Sequence, residues 1–393
     1  MNKNKYEYAE SVVMNTYKRF PLIITKGEGC YVYDDNDTKY LDFVAGIAVN
    51  TLGHGHAGLA DAIAKQAKEM LHVSNLYWTS SQVELAEILV KNSCFDKAFF
   101  CNSGAEANEA GLKLIRKYAE KNHPERYEII TMIDSFHGRT FGAVTATGQE
   151  KYKKGLDPVL PGIKHVPFND VEALKEAVNE KTAGILLEPI QAEGGIIPAK
   201  KEYLQKVREL CTEKDIVLMY DEVQCGIGRT GHLFAYQYYD APPDIMALAK
   251  GIAGGVPMGS LLATDKVALG FEPGDHASTF GGNPLAATAA CFVLNEILNN
   301  GLLENVQKQG EYLTKKLLEL KSKHPVIKDV RGVGLLQGIE LSIEAGPVIM
   351  KCMEKGLLLA NAGTHVLRFV PALNVTSEEI DKCMDILSEV LAS

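Results

Sequence analysis

The stretch Ile216-Val217-Leu218-Met219-Tyr220-Asp221-Glu222-Val223-Gln224 is an apolar run closed by two acidic residues. An apolar segment of this length, bounded by polar residues, reads as a strand buried on both faces, the kind found in parallel sheets covered by helices. The pattern recurs outward from it. Residues 98–101, 128–133, 183–187, 245–249 and 258–263 are strand-like, and helical segments fall between most of them. This alternation predicts an α/β fold with a mostly parallel central sheet and helices on both faces.

Open sheets of this kind bind ligands beyond the carboxyl ends of their strands. Asn102-Ser103-Gly104-Ala105 follows the first run, and Phe136-His137-Gly138-Arg139-Thr140 follows the second. Glu188-Pro189, Asp221-Glu222-Val223-Gln224 and Lys250-Gly251 follow three others. Polar residues at five strand ends are therefore expected to line one crevice.

The flanks are organised differently. Strand-like runs at 30–33 and 39–43 surround the turn Asp34-Asp35-Asn36-Asp37. Helical periodicity then appears at Leu59, Ile63, Ala67 and Leu71, and again at Val83, Ala86 and Val90. From residue 284 the pattern becomes helices at 285–299 and 302–322, strand-like runs at 333–340 and 366–370, and a last amphipathic helix from Ser377. The expected organisation is a large domain at 46–283 and a smaller α+β domain at 284–393, against which residues 1–45 pack.

Composition narrows the function. With 393 residues and 46% hydrophobic content, the chain can bury a sizeable core in two domains. A net charge of −9 and a pI near 5.7 argue against nucleic-acid binding. The short basic cluster Lys151, Lys153 and Lys154 reads as a solvated face. Eight cysteines occur without C-x-x-C or zinc-ligand spacing, which suggests a reducing compartment. The polar start MNKNKYEYAE lacks a signal-peptide core, and no stretch reaches the roughly 18 to 20 apolar residues of a membrane span. A cytoplasmic protein with no membrane partner is expected. The pair His54 and His56 reads as part of a glycine-rich loop, so no metal is expected. Gly332-Val333-Gly334 lacks the third glycine of a dinucleotide fingerprint.

Three strand-end features fit one cofactor. Ser103 and Glu106 form an S-x-x-E box, and the small residues Gly104 and Ala105 leave a helix N-terminus open to an anion such as phosphate. Asp221 is a strand-end carboxylate that requires a cationic or proton-donating partner. Lys250 is a strand-end amine that becomes nucleophilic when desolvated. Singly these suit a capped helix, an N-cap and a snorkelling lysine. Together, a phosphate cradle, an acid for a ring nitrogen and an amine for an aldehyde describe pyridoxal phosphate.

At this point the chain resembles the class III aminotransferases of fold type I. The likeness rests on Asn102-Ser103-Gly104-Ala105-Glu106-Ala107-Asn108-Glu109-Ala110, Phe136-His137-Gly138-Arg139-Thr140, Glu188-Pro189-Ile190-Gln191, Asp221-Glu222-Val223-Gln224 and Ser278-Thr279-Phe280-Gly281-Gly282-Asn283-Pro284. It runs from about residue 15 to the C-terminus. The resemblance implies that Gly104 and Ala105 hold the phosphate and Phe136 stacks on the pyridine ring. It implies that Asp221 pairs with the ring N–H, Val223 packs behind the ring and Gln224 meets the phenolic oxygen. Lys250 would be the covalent attachment point. Thr279 would reach the phosphate of a neighbouring subunit, with Ser278 near the substrate, so a homodimer with shared sites is implied.

The resemblance also implies two half-reactions, with 2-oxoglutarate accepting the amino group. Acetylornithine is the donor suggested by Pro371-Ala372-Leu373-Asn374, as in arginine biosynthesis. Ornithine, succinylornithine, succinyl-diaminopimelate and 4-aminobutyrate remain alternatives, and an aminomutase or a silent ligand-binding relative stands further off. Arg139 would take the donor's α-carboxylate and Arg368 that of glutamate. Glu188 is the expected partner of Arg368 when no carboxylate is bound. The chain departs from the family pattern at Ala57 and Ala192, where proline and glycine are usual.

Overall fold

A computed structural model of the chain describes residues 3–392. Seven strands build the central sheet in the spatial order Lys97–Cys101, Gly259–Ala263, Ile245–Leu248, Val217–Asp221, Thr182–Leu187, Glu128–Met132 and Ile163–Val166. Gly259–Ala263 runs antiparallel to both its neighbours, and the other pairings are parallel. The fold is thus α/β with a mostly parallel sheet. Ile163–Val166 was not visible as an apolar run because this short edge strand carries Lys164 and His165.

Two-sided burial explains the apolar runs. Leu218 and Tyr220 join one hydrophobic core while Val217 and Met219 join the other, and Met246 and Leu248 alternate likewise with Ile245 and Ala247. Helix Gly104–Asn122 covers one face through Ala107, Ala110, Leu114, Ile115 and Tyr118, at helical spacing. A Cβ on Gly111 would lie 2.4 Å from Met219 Sδ, so a larger residue here would force the Met219 side chain to shift. Helix Lys201–Lys214 covers the opposite face through Tyr203, Leu204, Val207 and Leu210.

Past the sheet, helices Pro284–Asn299, Leu302–Lys323 and Ser377–Ala392 accompany a second sheet, ordered Ile327–Val333, Leu336–Leu341, Val366–Phe369 and Ala360–Ala362. Near the start of the chain, Ile24–Glu28, Tyr31–Asp34 and Lys39–Asp42 form an antiparallel sheet. Its outer neighbour is Leu357–Leu358, parallel to Lys39–Asp42, with Leu41 opposite Leu357.

Several local expectations need correction. The run at 333–340 is not one strand: Gly334, at φ 58°, turns the chain between the paired strands Ile327–Val333 and Leu336–Leu341. In helix Ser80–Lys91 the buried face is Leu85 and Leu89, while Val83 is exposed. Leu71 lies beyond the end of helix Ala57–Glu69 and is exposed. Lys153 is buried rather than solvated, with Nζ 2.7 Å from Glu150 Oε1.

Candidate active site

The carboxyl ends of the parallel strands open into a cavity of about 380 Å³, lined among others by Gly104, Phe136, Glu188, Asp221 and Lys250. Ser103, Ala105, Arg139, Val223 and Gln224 also line it. All five strand ends therefore meet, as two-sided strands with polar stops require.

Ser103 Oγ accepts the amide of Glu106 at 3.2 Å and so starts helix Gly104–Asn122. The box is shifted by one residue, since Glu106 Oε2 accepts from the amide of Asn102 rather than Ser103. The amides of Gly104 and Ala105 lie in the first turn, where no intrahelical acceptor exists. They meet the cavity with the positive end of the helix dipole.

Asp221 is buried and held from three directions. Oδ2 accepts from Asn108 Nδ2 at 2.7 Å and lies 2.9 Å from His137 Nδ1, and Oδ1 accepts from the amide of Val223 at 3.0 Å. Asn108 Oδ1 and His137 Nε2 are buried without a partner among the described residues. Neither residue stands out in the sequence pattern as a site residue, though Asn108 is a polar residue on the inner face of an otherwise apolar helix stripe.

Lys250 has φ 48°, in the left-handed region, where a non-glycine residue costs about 1–3 kcal/mol. The strained corner sets the amine at the end of Ile245–Leu248. Burial lowers the Lys250 pKa, while Glu193 and Asp221 oppose that shift and Arg368 adds to it. A lowered pKa leaves more of the amine neutral, which nucleophilic or base chemistry requires.

Arg368 is 3% exposed, and its partner is Glu193, not Glu188. Arg368 NH1 donates to Glu193 Oε1 and, at 2.9 Å, to Gln224 Oε1. Gln224 Nε2 in turn donates to Glu193 Oε1 at 3.2 Å. Burial alone would raise the Glu193 pKa, but Arg368, Lys250 and Gln224 hold it below the usual carboxylate value. Glu188 accepts instead from the amides of Phe136 at 2.8 Å and Ala192 at 3.2 Å. Burial, and then the charge of Asp221, push its pKa well up. The physical reason for the correction is local. Ile190–Gln191 pairs with Ile197–Pro198, and this hairpin returns Glu193 to the cavity while Glu188 is consumed by backbone amides.

Glu193 and Arg368 also border a wider space of about 1030 Å³, whose walls include Ile47, Tyr152 and Lys151. Arg139 stands near the junction, with its guanidinium 4.0 Å from the Tyr152 ring centroid and 5.5 Å from that of Phe136. Ser278 and Thr279 lie outside the cavity. Ser278 Oγ accepts from Asn102 Nδ2 at 3.2 Å, and Thr279 is exposed. His54 lies 2.7 Å from Asp42 Oδ2, and His56 Nδ1 caps the following helix through the amide of Leu59.

A strand-end amine, a buried carboxylate and an anion-ready helix start thus share one cavity at the strand ends. The comparisons give the family: residues 12–391 match the aminotransferase class-III family, and the chain belongs to it. A protein of Caldanaerobacter subterraneus subsp. tengcongensis named acetylornithine aminotransferase is 54% identical over 387 residues, covering 98% of each chain. The structure of N-acetylornithine aminotransferase from Stenotrophomonas maltophilia superposes with TM-score 0.84 at 38% identity, covering 96% of each chain. The ornithine aminotransferase of Toxoplasma gondii, described with PLP at partial occupancy in its active site, gives TM-score 0.95 at 31% identity over 100% of this chain and 94% of its own.

Proposed function

We propose that this aminotransferase uses pyridoxal 5′-phosphate to move the terminal amino group of N-acetylornithine to 2-oxoglutarate, giving N-acetylglutamate semialdehyde and glutamate. The observation that carries the chemistry is the meeting of Lys250, Asp221 and the Gly104–Ala105 helix start in one cavity. The donor rests on the relative named acetylornithine aminotransferase at 54% identity across nearly the whole chain.

The residues fit the cofactor. Among the described residues neither lysine nor arginine hydrogen-bonds Asp221, whose partners are Asn108, His137 and the amide of Val223, so a protonated ring nitrogen would find a carboxylate to pair with. The helix start would take the phosphate together with Ser103, Phe136 and Val223 would face the ring, and Gln224 would meet the phenolic oxygen. When bound, the cofactor supplies an electron sink and carries the amino group between the two substrates. Lys250 would hold the cofactor covalently. Once free, its neutral amine would take the proton from the carbon bearing the donor's amine. Arg139 would bind the donor's α-carboxylate. Arg368 would bind that of glutamate, after Glu193 releases it.

The assembly proposed is a homodimer with shared sites, and the protein is placed in the cytoplasm, which its free cysteines favour. Among the described residues, no helix is long and apolar enough to cross a membrane. Leu76 and Trp78 are 82% and 87% exposed, beside exposed Tyr77 and Phe280. Asn75 Nδ2 donates to the carbonyls of Ser278 and Gly281, so this apolar surface and the Thr279 loop form one unit. Such a surface needs a cover, and a second copy would bring Thr279 to its site.

Purified enzyme carrying the cofactor, offered each donor singly, tests the reaction through loss of the bound cofactor's visible absorbance. N-acetylornithine should exceed ornithine, succinylornithine and 4-aminobutyrate at least tenfold in kcat/KM. Preference for another donor would replace the substrate. Near-normal turnover by Lys250→Ala would overturn the chemistry.

A further inference from the structure

Arg139 is unusual among the site's cations. Among the described residues no carboxylate pairs with it, whereas Arg368 has Glu193. What the structure places against Arg139 is aromatic: the Tyr152 ring at 4.0 Å and the Phe136 ring at 5.5 Å. The two rings stand edge to face, with centroids 5.7 Å apart and planes at 79°. Lys151 Nζ lies 4.8 Å from the Tyr152 ring as well. Tyr152 ends the short helical turn Glu150–Tyr152 and borders the wider space, while Phe136 and Arg139 line the inner cavity.

We propose that Tyr152 is a positioning residue that sets donor selectivity by seating the Arg139 guanidinium on its ring at the junction of the two spaces. An acidic partner would hold Arg139 by consuming its N–H donors and its charge. A ring face attracts the cation and leaves the edge N–H groups free for a carboxylate. The fixed guanidinium then marks a set distance from the reacting amine. The class of donor favoured is a primary amine with a carboxylate at its far end. This rests on the proposal that Arg139 binds the donor's carboxylate.

The test compares N-acetylornithine with its carboxylate-free analogue N-acetylputrescine, as the ratio of kcat/KM for the two. Tyr152→Leu should lower that ratio about five- to tenfold, mainly through KM for N-acetylornithine. Tyr152→Phe, which keeps the ring face, should restore most of the ratio. In Arg139→Ala the ratio should fall further, and adding Tyr152→Leu to it should cause no additional fall. A full additional fall in the double variant, or equal losses for both amines in Tyr152→Leu, overturns the proposal. An unchanged ratio in Arg139→Ala instead shows that Arg139 does not bind the carboxylate.

Discussion

Arg368, buried, and Glu193, half-buried, form an ion pair between residues 175 positions apart, with Gln224 bonded to both. Removing Glu193 leaves the buried Arg368 charge without a carboxylate, at a cost of up to about 3–5 kcal/mol, the range for fully buried pairs. A carboxylate substrate that takes the place of Glu193 avoids that cost, while a donor whose carboxylate lies elsewhere leaves the pair intact. Glu193→Gln should therefore speed the half-reaction with glutamate and slow that with N-acetylornithine. Single-turnover rates for each donor decide it. If both rates fall together with thermal stability, the pair is only structural.

Asp221 is predicted to govern the ring nitrogen. Asp221→Ala should lower the single-turnover rate at least 100-fold, equivalent to about 2.7 kcal/mol of barrier, with a smaller loss in cofactor affinity. Asn108→Ala removes one of the bonds that aim this carboxylate and should cost less. A loss of under threefold in Asp221→Ala would assign the role to another group.

Glu222 makes a prediction about pH and stability. It is fully buried, accepts the amides of Ala235 and Tyr236, and burial raises its pKa to about 8 from 4.5. A folded-state pKa above the unfolded value means the folded protein holds the extra proton. The resulting stability is complete below about pH 4.5 and is lost as pH rises through about 8. Across that window Glu222 should contribute a slope of up to about 1.4 kcal/mol per pH unit. Urea unfolding of wild type and Glu222→Gln at several pH values measures it. The same slope in both proteins would clear Glu222 of this role.

Trp78 is the only tryptophan in the chain and lies on the exposed apolar surface. Its emission should therefore shift red on dilution if a second copy covers it. Trp78→Lys should favour the monomer in sedimentation. For shared sites, hybrids of Lys250→Ala and Thr279→Ala subunits should retain one intact site, so about half the activity per dimer. Hybrids with no intact site would rule out sharing between subunits.

The sheet was legible because strands buried on both faces must be apolar throughout and stop at polar residues. Asp221 and Lys250 were visible for that reason, as residues that end such runs. The Glu193–Arg368 pairing was not, because it depends on a hairpin containing Gly195 at φ 115° and Ile196 at φ 55°. No periodicity marks those angles, and proximity to a strand end favoured Glu188. The seat of Arg139 on Tyr152 was hidden similarly, since a short turn thirteen positions away supplies the ring. Ile163–Val166 escaped notice because an edge strand tolerates charge.

The pairing of Lys39–Asp42 with Leu357–Leu358 joins segments more than three hundred residues apart. On the ribosome, at about 5–20 residues per second, the early strand is made roughly 15 to 60 s before its neighbour exists. During that interval its outer edge offers unpaired N–H and C=O groups to any other extended chain. The nascent protein therefore spends most of its synthesis with an open seam near its beginning. Vulnerability to aggregation should be greatest in truncated products that stop short of residue 357, even where the central sheet is already complete.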